Sequence, residues 1–233
     1  MYKGKFLSAV VTAAGSGTRM ASDINKPYIE IGNKKILELT LETVTSIEEF
    51  DEIILVVREK DLSLAAEILS IFRDPRIKMV AGGKSREEST YKGLSAINPD
   101  SDLVLSHDGV RPFASRGLFL RVLKEMQSYK GAISATKSKD TIKVVNEKGE
   151  VDFTPNRDYV YNIQTPQAFD TKLIKSLYEK YFKSEAKITD DSQLFEFFDR
   201  VEPVKVVEGE YSNIKITTAE DIIFARAYIR RRK

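Results

Sequence analysis

Val10-Val11-Thr12-Ala13-Ala14-Gly15-Ser16-Gly17-Thr18-Arg19-Met20 is the stretch from which the rest of the chain is read. An apolar run, Leu7 to Thr12, has the length and composition of a buried strand. It opens into small residues, two glycines and an arginine. Small side chains let backbone N–H groups approach a ligand closely, and glycine permits the positive φ values such a loop needs. Successive N–H groups can form a concave anion site, and Arg19 adds a bidentate donor for phosphate oxygens. No Gly-Lys-Ser/Thr closes the loop, so it is not a Walker motif; the third glycine of a dinucleotide fingerprint is missing as well. Gly-x-Gly alone also fits an ordinary turn.

Working outward, apolar runs alternate with amphipathic ones. Strands are expected at Glu52 to Val57, Ile77 to Val80, Asp102 to Ser106 and Ala132 to Thr136. Helices are expected at Ile36 to Ser46, Asp61 to Phe72 with Asp61 as cap, Ser85 to Ile97 with Ser85-Arg86-Glu87-Glu88 as a capping box, and Ser115 to Tyr129. This alternation predicts an α/β fold, a Rossmann-like and mostly parallel sheet with helices on both faces. After Lys137 the rhythm breaks. Thr141 to Asn146 and Val151 to Phe153 flank the polar turn Glu147-Lys148-Gly149-Glu150, which predicts a projecting β-hairpin arm at about 138–160. Helices near Thr171 to Phe182 and Asp190 to Phe198 follow, then strands at Val204 to Val207 and Ile214 to Thr217, and a last helix from Thr218. No repeat, linker or boundary divides residues 1–233, so one domain is expected.

Three clusters fall at the carboxyl ends of expected parallel strands, the edge where open α/β sheets bind ligands. The first is the Ala13 to Arg19 loop, with Lys26 seven residues on, its backbone held extended by Pro27. The second is Ala81-Gly82-Gly83-Lys84-Ser85-Arg86-Glu87-Glu88-Ser89, a tight turn with hydroxyls at a helix start, suited to a planar base edge. The third is His107-Asp108-Gly109-Val110-Arg111-Pro112. Asp108 suits Mg²⁺, which prefers oxygen ligands, and Arg111 suits a second phosphate. His107, the single histidine, reads more naturally as a hydrogen-bonded structural residue than as a catalyst.

Composition narrows the field. The 233 residues include 37 basic and 35 acidic side chains, a net charge of +2, without the basic face of a duplex binder, so no nucleic-acid partner is expected. Arg230 to Lys233 is a basic run that suits a helix C-terminus. The chain has no cysteine, which removes disulfides and thiolate metal sites and fits a reducing, cytoplasmic setting. The basic start and apolar Phe6 to Ala14 superficially resemble a signal peptide, but the run is short and reads better as the first strand. No apolar run approaches the roughly 20 residues that span a bilayer.

The motifs together resemble the 2-C-methyl-D-erythritol 4-phosphate cytidylyltransferase family. The likeness runs through Ala13 to Met20, Lys26, Gly82 to Leu94, His107-Asp108 with Arg111-Pro112, Gln164-Thr165-Pro166-Gln167 with Phe169, Thr189-Asp190, and Asn213-Ile214-Lys215-Ile216-Thr217. The resemblance implies a glycosyltransferase-A-type fold and a homodimer clasped by the arm. It implies that CTP and the sugar-alcohol phosphate give a CDP-alcohol and pyrophosphate, with Mg²⁺ or another divalent cation. By the family pattern, Ala13, Ala14, Gly15, Ser16, Gly17 and Thr18 hold the triphosphate, and Arg19 and Lys26 are catalytic. Gly82, Gly83 and Ser89 lie by the nucleotide, and Asp108 binds nucleotide and metal. Arg111, Thr189 and Lys215 surround the acceptor, while Thr141 and Arg157 reach in from a partner's arm. Four positions depart from that pattern: Pro27 in place of glutamine, Gly109-Val110 in place of two alanines, and Ser212 in place of an acidic residue.

Three other readings compete. A ribitol-5-phosphate cytidylyltransferase shares the fold and chemistry. A non-catalytic nucleotide-binding protein could dispense with Arg19, Lys26 and Asp108, which are all present. A nicotinamide dehydrogenase would need an acidic residue where Val57-Arg58 stands.

Overall fold

A computed structural model describes residues 1–15 and 25–232, with side chains through 231. The strands are β1 (Leu7–Thr12), β2 (Glu30–Ile31), β3 (Lys34–Lys35), β4 (Glu52–Val57), β5 (Ile77–Ala81), β6 (Leu103–Asp108), β7 (Gly131–Lys137), β8 (Val144–Val145), β9 (Val151–Phe153), β10 (Tyr161–Asp170) and β11 (Val204–Glu208). The helices are α1 (Ile36–Thr45), α2 (Leu62–Phe72), α3 (Arg86–Ala96), α4 (Arg116–Glu125), α5 (Thr171–Tyr181), α6 (Gln193–Phe198) and α7 (Ala219–Arg232).

Seven strands form one sheet in the order β11-β7-β10-β6-β1-β4-β5. Every neighbouring pair is parallel except the two made by β10. The buried strands are apolar on both faces, as a doubly covered sheet requires. Val11, Ile53 and Leu55 pack into a layer with α1, α2 and α4, whereas Val10, Ile54 and Val56 pack into the opposite layer with α3, α5 and α6. A third cluster seats α7 against Ile31, Ile36 and Phe113. Beyond Lys137, β8 and β9 pair as the expected two-stranded arm. No described helix is long and apolar enough to cross a membrane.

The sequence pattern is corrected at five places. Lys26 is not held extended by Pro27; it opens a 3-10 turn, Lys26–Tyr28, and Asn25 before it is the extended residue. Asp61 precedes α2 but makes no side-chain cap bond; Arg58 and Asn25 occupy its carboxylate instead. The Ser85 hydroxyl accepts from Glu88 N as expected, but the Glu88 carboxylate returns to Lys84 N, one residue outside the predicted box. Ile214 to Thr217 is not a strand. It has one ladder-like bond, Ile216 N to Val110 O at 2.9 Å, and lies across the end of the sheet. Conversely, β10 was hidden by Pro166, which cannot donate to a ladder; the register with β7 shifts between Ile163 and Gln167 to accommodate it.

Candidate active site

Parallel register brings Thr12, the last residue of β1, directly opposite Asp108, the last residue of β6. The chain leaves β1 toward β4 on one side and has β6 on the other, so this is the sheet's switch point. Two cavities open there. One, of about 530 Å³, is lined by Ala13, Ala14, Gly15, Lys26, Gly83, Ser89 and Asp108 among others. The second, of about 1000 Å³, is lined by Arg111, Thr189 and residues of β10 and α6 among others. Arg86, Asp108 and Lys215 line both, and so mark the seam between them.

The seam is a charged knot. Asp108 accepts from Arg111 Nε at 3.0 Å and from Lys215 Nζ at 3.2 Å. Burial acts to raise the Asp108 carboxyl, but Lys215, Arg111 and Arg86 together more than offset it and hold it well below the usual carboxylate range. The Asp108 backbone N–H donates to Thr165 Oγ1 at 3.0 Å. That hydroxyl lies 3.0 Å from His107 Nδ1. Nε2 faces the Arg111 carbonyl at 3.4 Å, which can only accept, so the neutral ring carries its proton on Nε2 and its Nδ1 accepts from the Thr165 hydroxyl. Neutral and packed against Phe119, His107 supports the seam from behind; burial pushes its pKa down to about 4.

The small residues of the first cavity serve close approach. A Cβ on Gly82 would stand 2.5 Å from the Ala14 Cβ and 2.9 Å from Ser89 Oγ. Gly82 itself sits behind the wall, its N–H bonded to Val57 O at 2.7 Å. Ser89 Oγ accepts from Gly83 N at 3.0 Å and so holds the turn's shape. Lys26 is buried at the cavity wall and donates to Thr217 O at 2.7 Å.

Eight of the residues expected to bind nucleotide or catalyse thus gather at or behind one cavity: Ala13, Ala14, Gly15, Lys26, Gly82, Gly83, Ser89 and Asp108. Ser16, Gly17, Thr18 and Arg19 lie outside the described residues. Arg111, Thr189, Lys215 and Asp108 line the second cavity. Thr141 and Arg157 are on the exposed arm and line neither cavity; Arg157 Nη1 donates to Lys139 O at 3.4 Å. Sequence reasoning gave no role to Arg86 or Thr165. Arg86 pairs with Asp191 at 3.0 Å, and Asp191 is held in turn by Ser106 and Tyr178. The helix-start position of Arg86 within the second cluster was the available signal.

A divalent cation can be tested against these donors. Among the described residues no group of three or more His, Asp or Glu side chains could hold a metal ion. Asp108 offers one carboxylate, with three cation contacts on its roughly four lone-pair sites. That suits Mg²⁺, which commonly takes one or two carboxylates and otherwise substrate phosphates and water; it does not suit an all-protein cage.

Two cavities meeting at a seam of cations suit a transfer between two phosphorylated substrates, and such a transfer is the work of a nucleotidyltransferase. Comparison with known proteins makes the class specific. The family profile of IspD, 2-C-methyl-D-erythritol 4-phosphate cytidylyltransferase, matches residues 7–231. The Clostridium botulinum (strain ATCC 19397 / Type A) protein of that name is 40% identical over 93% of this chain and 94% of its own length. A crystal structure of 4-diphosphocytidyl-2C-methyl-D-erythritol synthase from Anaerococcus prevotii superposes with a TM-score of 0.91, at 60% identity, over 98% of this chain and 97% of that one. The Thermus thermophilus cytidylyltransferase gives 0.76 at 28% identity, over 97% and 99%. The chain belongs to the 2-C-methyl-D-erythritol 4-phosphate cytidylyltransferase family.

Proposed function

We propose that the smaller cavity holds CTP, the larger one holds 2-C-methyl-D-erythritol 4-phosphate, and reaction occurs at the seam between them. The observation that carries this reading is that Asp108 and Lys215 line both cavities while Lys26 lines the smaller beside them. An oxygen of the acceptor phosphate attacks the α-phosphorus of CTP in line. The bond from that phosphorus to the bridging oxygen breaks, and pyrophosphate leaves with the electron pair. The acceptor is already an anion, so no strong general base is needed, and catalysis is positioning plus charge stabilisation.

The Ala13 to Thr18 loop cradles the triphosphate, with Arg19 and Lys26 meeting the extra negative charge of the transition state. Gly82, Gly83 and Ser89 shape the wall for the base. Arg111, Thr189 and Lys215 bind the acceptor. Asp108 is the protein ligand for Mg²⁺ or another divalent cation, which when bound neutralises phosphate charge. Thr141 and Arg157 complete the acceptor site from the arm of a second copy. Val145, Val151, Phe153 and Tyr159 are all at least half exposed on the arm, which supports a homodimer built there. Residues 1–233 act as one catalytic unit with the arm at about 138–160, in the cytoplasm.

Lys26→Ala is expected to lower kcat by roughly 10²–10³, the usual loss for one preorganised electrostatic donor. Steady-state pyrophosphate release measures it, and near-wild-type turnover would remove Lys26 from the mechanism. Substrate choice is tested by supplying CTP, UTP or ATP with methylerythritol phosphate or ribitol 5-phosphate. CTP with the former should be preferred; a preference for ribitol 5-phosphate would overturn the acceptor assignment.

A further inference from the structure

Asp61 is a buried carboxylate that caps no helix. Its two oxygens accept from Arg58 Nε at 2.6 Å, Arg58 Nη2 at 3.1 Å and Asn25 Nδ2 at 2.8 Å. Its main-chain carbonyl lies 3.5 Å from the Tyr28 hydroxyl. Asn25 and Tyr28 stand on either side of Lys26-Pro27, in a single 3-10 turn closed by Tyr28 N to Asn25 O at 2.9 Å. One residue therefore grips the turn both before and after the lysine.

That arrangement is costly. Asn25, Lys26, Tyr28 and Asp61 are all less than a tenth exposed. Asn25 Oδ1 is buried and finds no hydrogen-bond partner among the described residues. Buried unsatisfied groups in native structures call for an explanation, and a fixed functional geometry is one. Beyond the turn, the grip ends on a defined target, because the Lys26 ammonium is delivered to Thr217 O at 2.7 Å in the smaller cavity. Arg58 lines the same cavity, and its bidentate pair with Asp61 fixes the direction of its guanidinium there.

We infer that Asp61 is a positioning residue for Lys26, acting through Asn25 and Tyr28. Asp61 touches no substrate. It removes the freedom of the turn, so that the ammonium is in place before CTP arrives. The inference rests on the catalytic role of Lys26 given above.

Non-additivity in turnover separates positioning from general support. Asp61→Asn keeps the side chain's shape but loses the charge and one acceptor. Asn25→Ala cuts only the link to Asp61 and keeps the backbone bond that closes the turn. Each is expected to lower kcat roughly ten- to hundredfold, the scale of a misplaced catalytic group, with the acceptor KM within about twofold. In a Lys26→Ala background each should change kcat less than about twofold, because the group being positioned is gone. Equal losses with and without Lys26, or unchanged kcat in both single variants, would overturn the inference. If Asp61→Asn does not fold, Asn25→Ala alone decides it. Full turnover by Lys26→Ala would instead strike the reading of Lys26 itself, which is a distinct outcome.

Discussion

Gly93 lies in α3 where the helix crosses the sheet, and a Cβ there would meet Val10 Cγ1 at 2.5 Å and Val56 Cγ2 at 2.8 Å. Helix propensity alone favours alanine over glycine by about 1 kcal/mol. Overpacking a filled core costs about 1–3 kcal/mol, and both clashing atoms belong to stiff β-branched side chains on central strands. With contacts this short the steric cost wins, so Gly93→Ala is expected to destabilise by up to about 2 kcal/mol, read as a lower urea midpoint. His107 makes a second prediction at this scale. Its pKa is pushed down to about 4 by burial, below the roughly 6.5 of an unfolded histidine. The unfolded chain therefore takes up the proton first. The contribution of neutral His107 is fully present above about pH 6.5 and is lost as pH falls toward 4, by roughly 3 kcal/mol. Imidazole NMR signals should not titrate between pH 8 and 5.5. His107→Asn should make stability less steep in pH between 6.5 and 4.5.

Among the elements, the arm is where function is most separable from the fold. Arg157 is exposed, and its guanidinium is bonded only to the nearby Lys139 carbonyl among the contacts described, so loss of the side chain should cost the protomer little stability. Arg157→Ala is expected to raise the acceptor KM about tenfold or more, the scale for a lost charged contact, with kcat changed less. An unchanged acceptor KM would count against an arm that serves a second copy's site. The elements also show why some of the chain was readable in advance. β1, β4 and β6 are continuous apolar runs that fix their own type, and the clusters after β1, β5 and β6 follow from that. β10 was not readable because Pro166 broke its local signal, while pairing with β6 and β7 supplied the bonds that local sequence did not predict. Thr165 was missed with it. Ile214 to Thr217 was misread for the converse reason: its apolar alternation serves α7's cluster and the cavity wall, not a ladder. Asp61 looked like a cap because its position before α2 is right for one; only distant Asn25 reveals its other use.

Over the whole molecule, convergence from far apart in sequence was the least legible property. Lys26, Asp108 and Lys215 are joined by no local pattern, and only the order of strands puts them together. The same scale governs assembly. Two acidic substitutions, Val151→Glu and Phe153→Glu, fall on exposed apolar arm positions that support no core of their own protomer. They should shift the protein from dimer to monomer in sedimentation velocity and leave the thermal midpoint of the monomer nearly unchanged. A wild-type protein that is monomeric at micromolar concentration would exclude the clasped dimer.

The reversed strand β10 has one more consequence. The earlier strands β6, β1, β4 and β5 form a continuous parallel block from the first 108 residues, while β7 and β11 make a separate pair. Within the sheet of the described residues, β10 is the strand that joins block to pair, and Thr165 and Gln164, midway along it, tie Asp108 and Asn213. During synthesis the parallel block can therefore take shape early, yet the wall of the larger cavity does not exist until residues 161–170 thread into the gap. The seam waits longer still, for Lys215 and Thr217 near the end of the chain, so a half-made chain has no finished site in which to react.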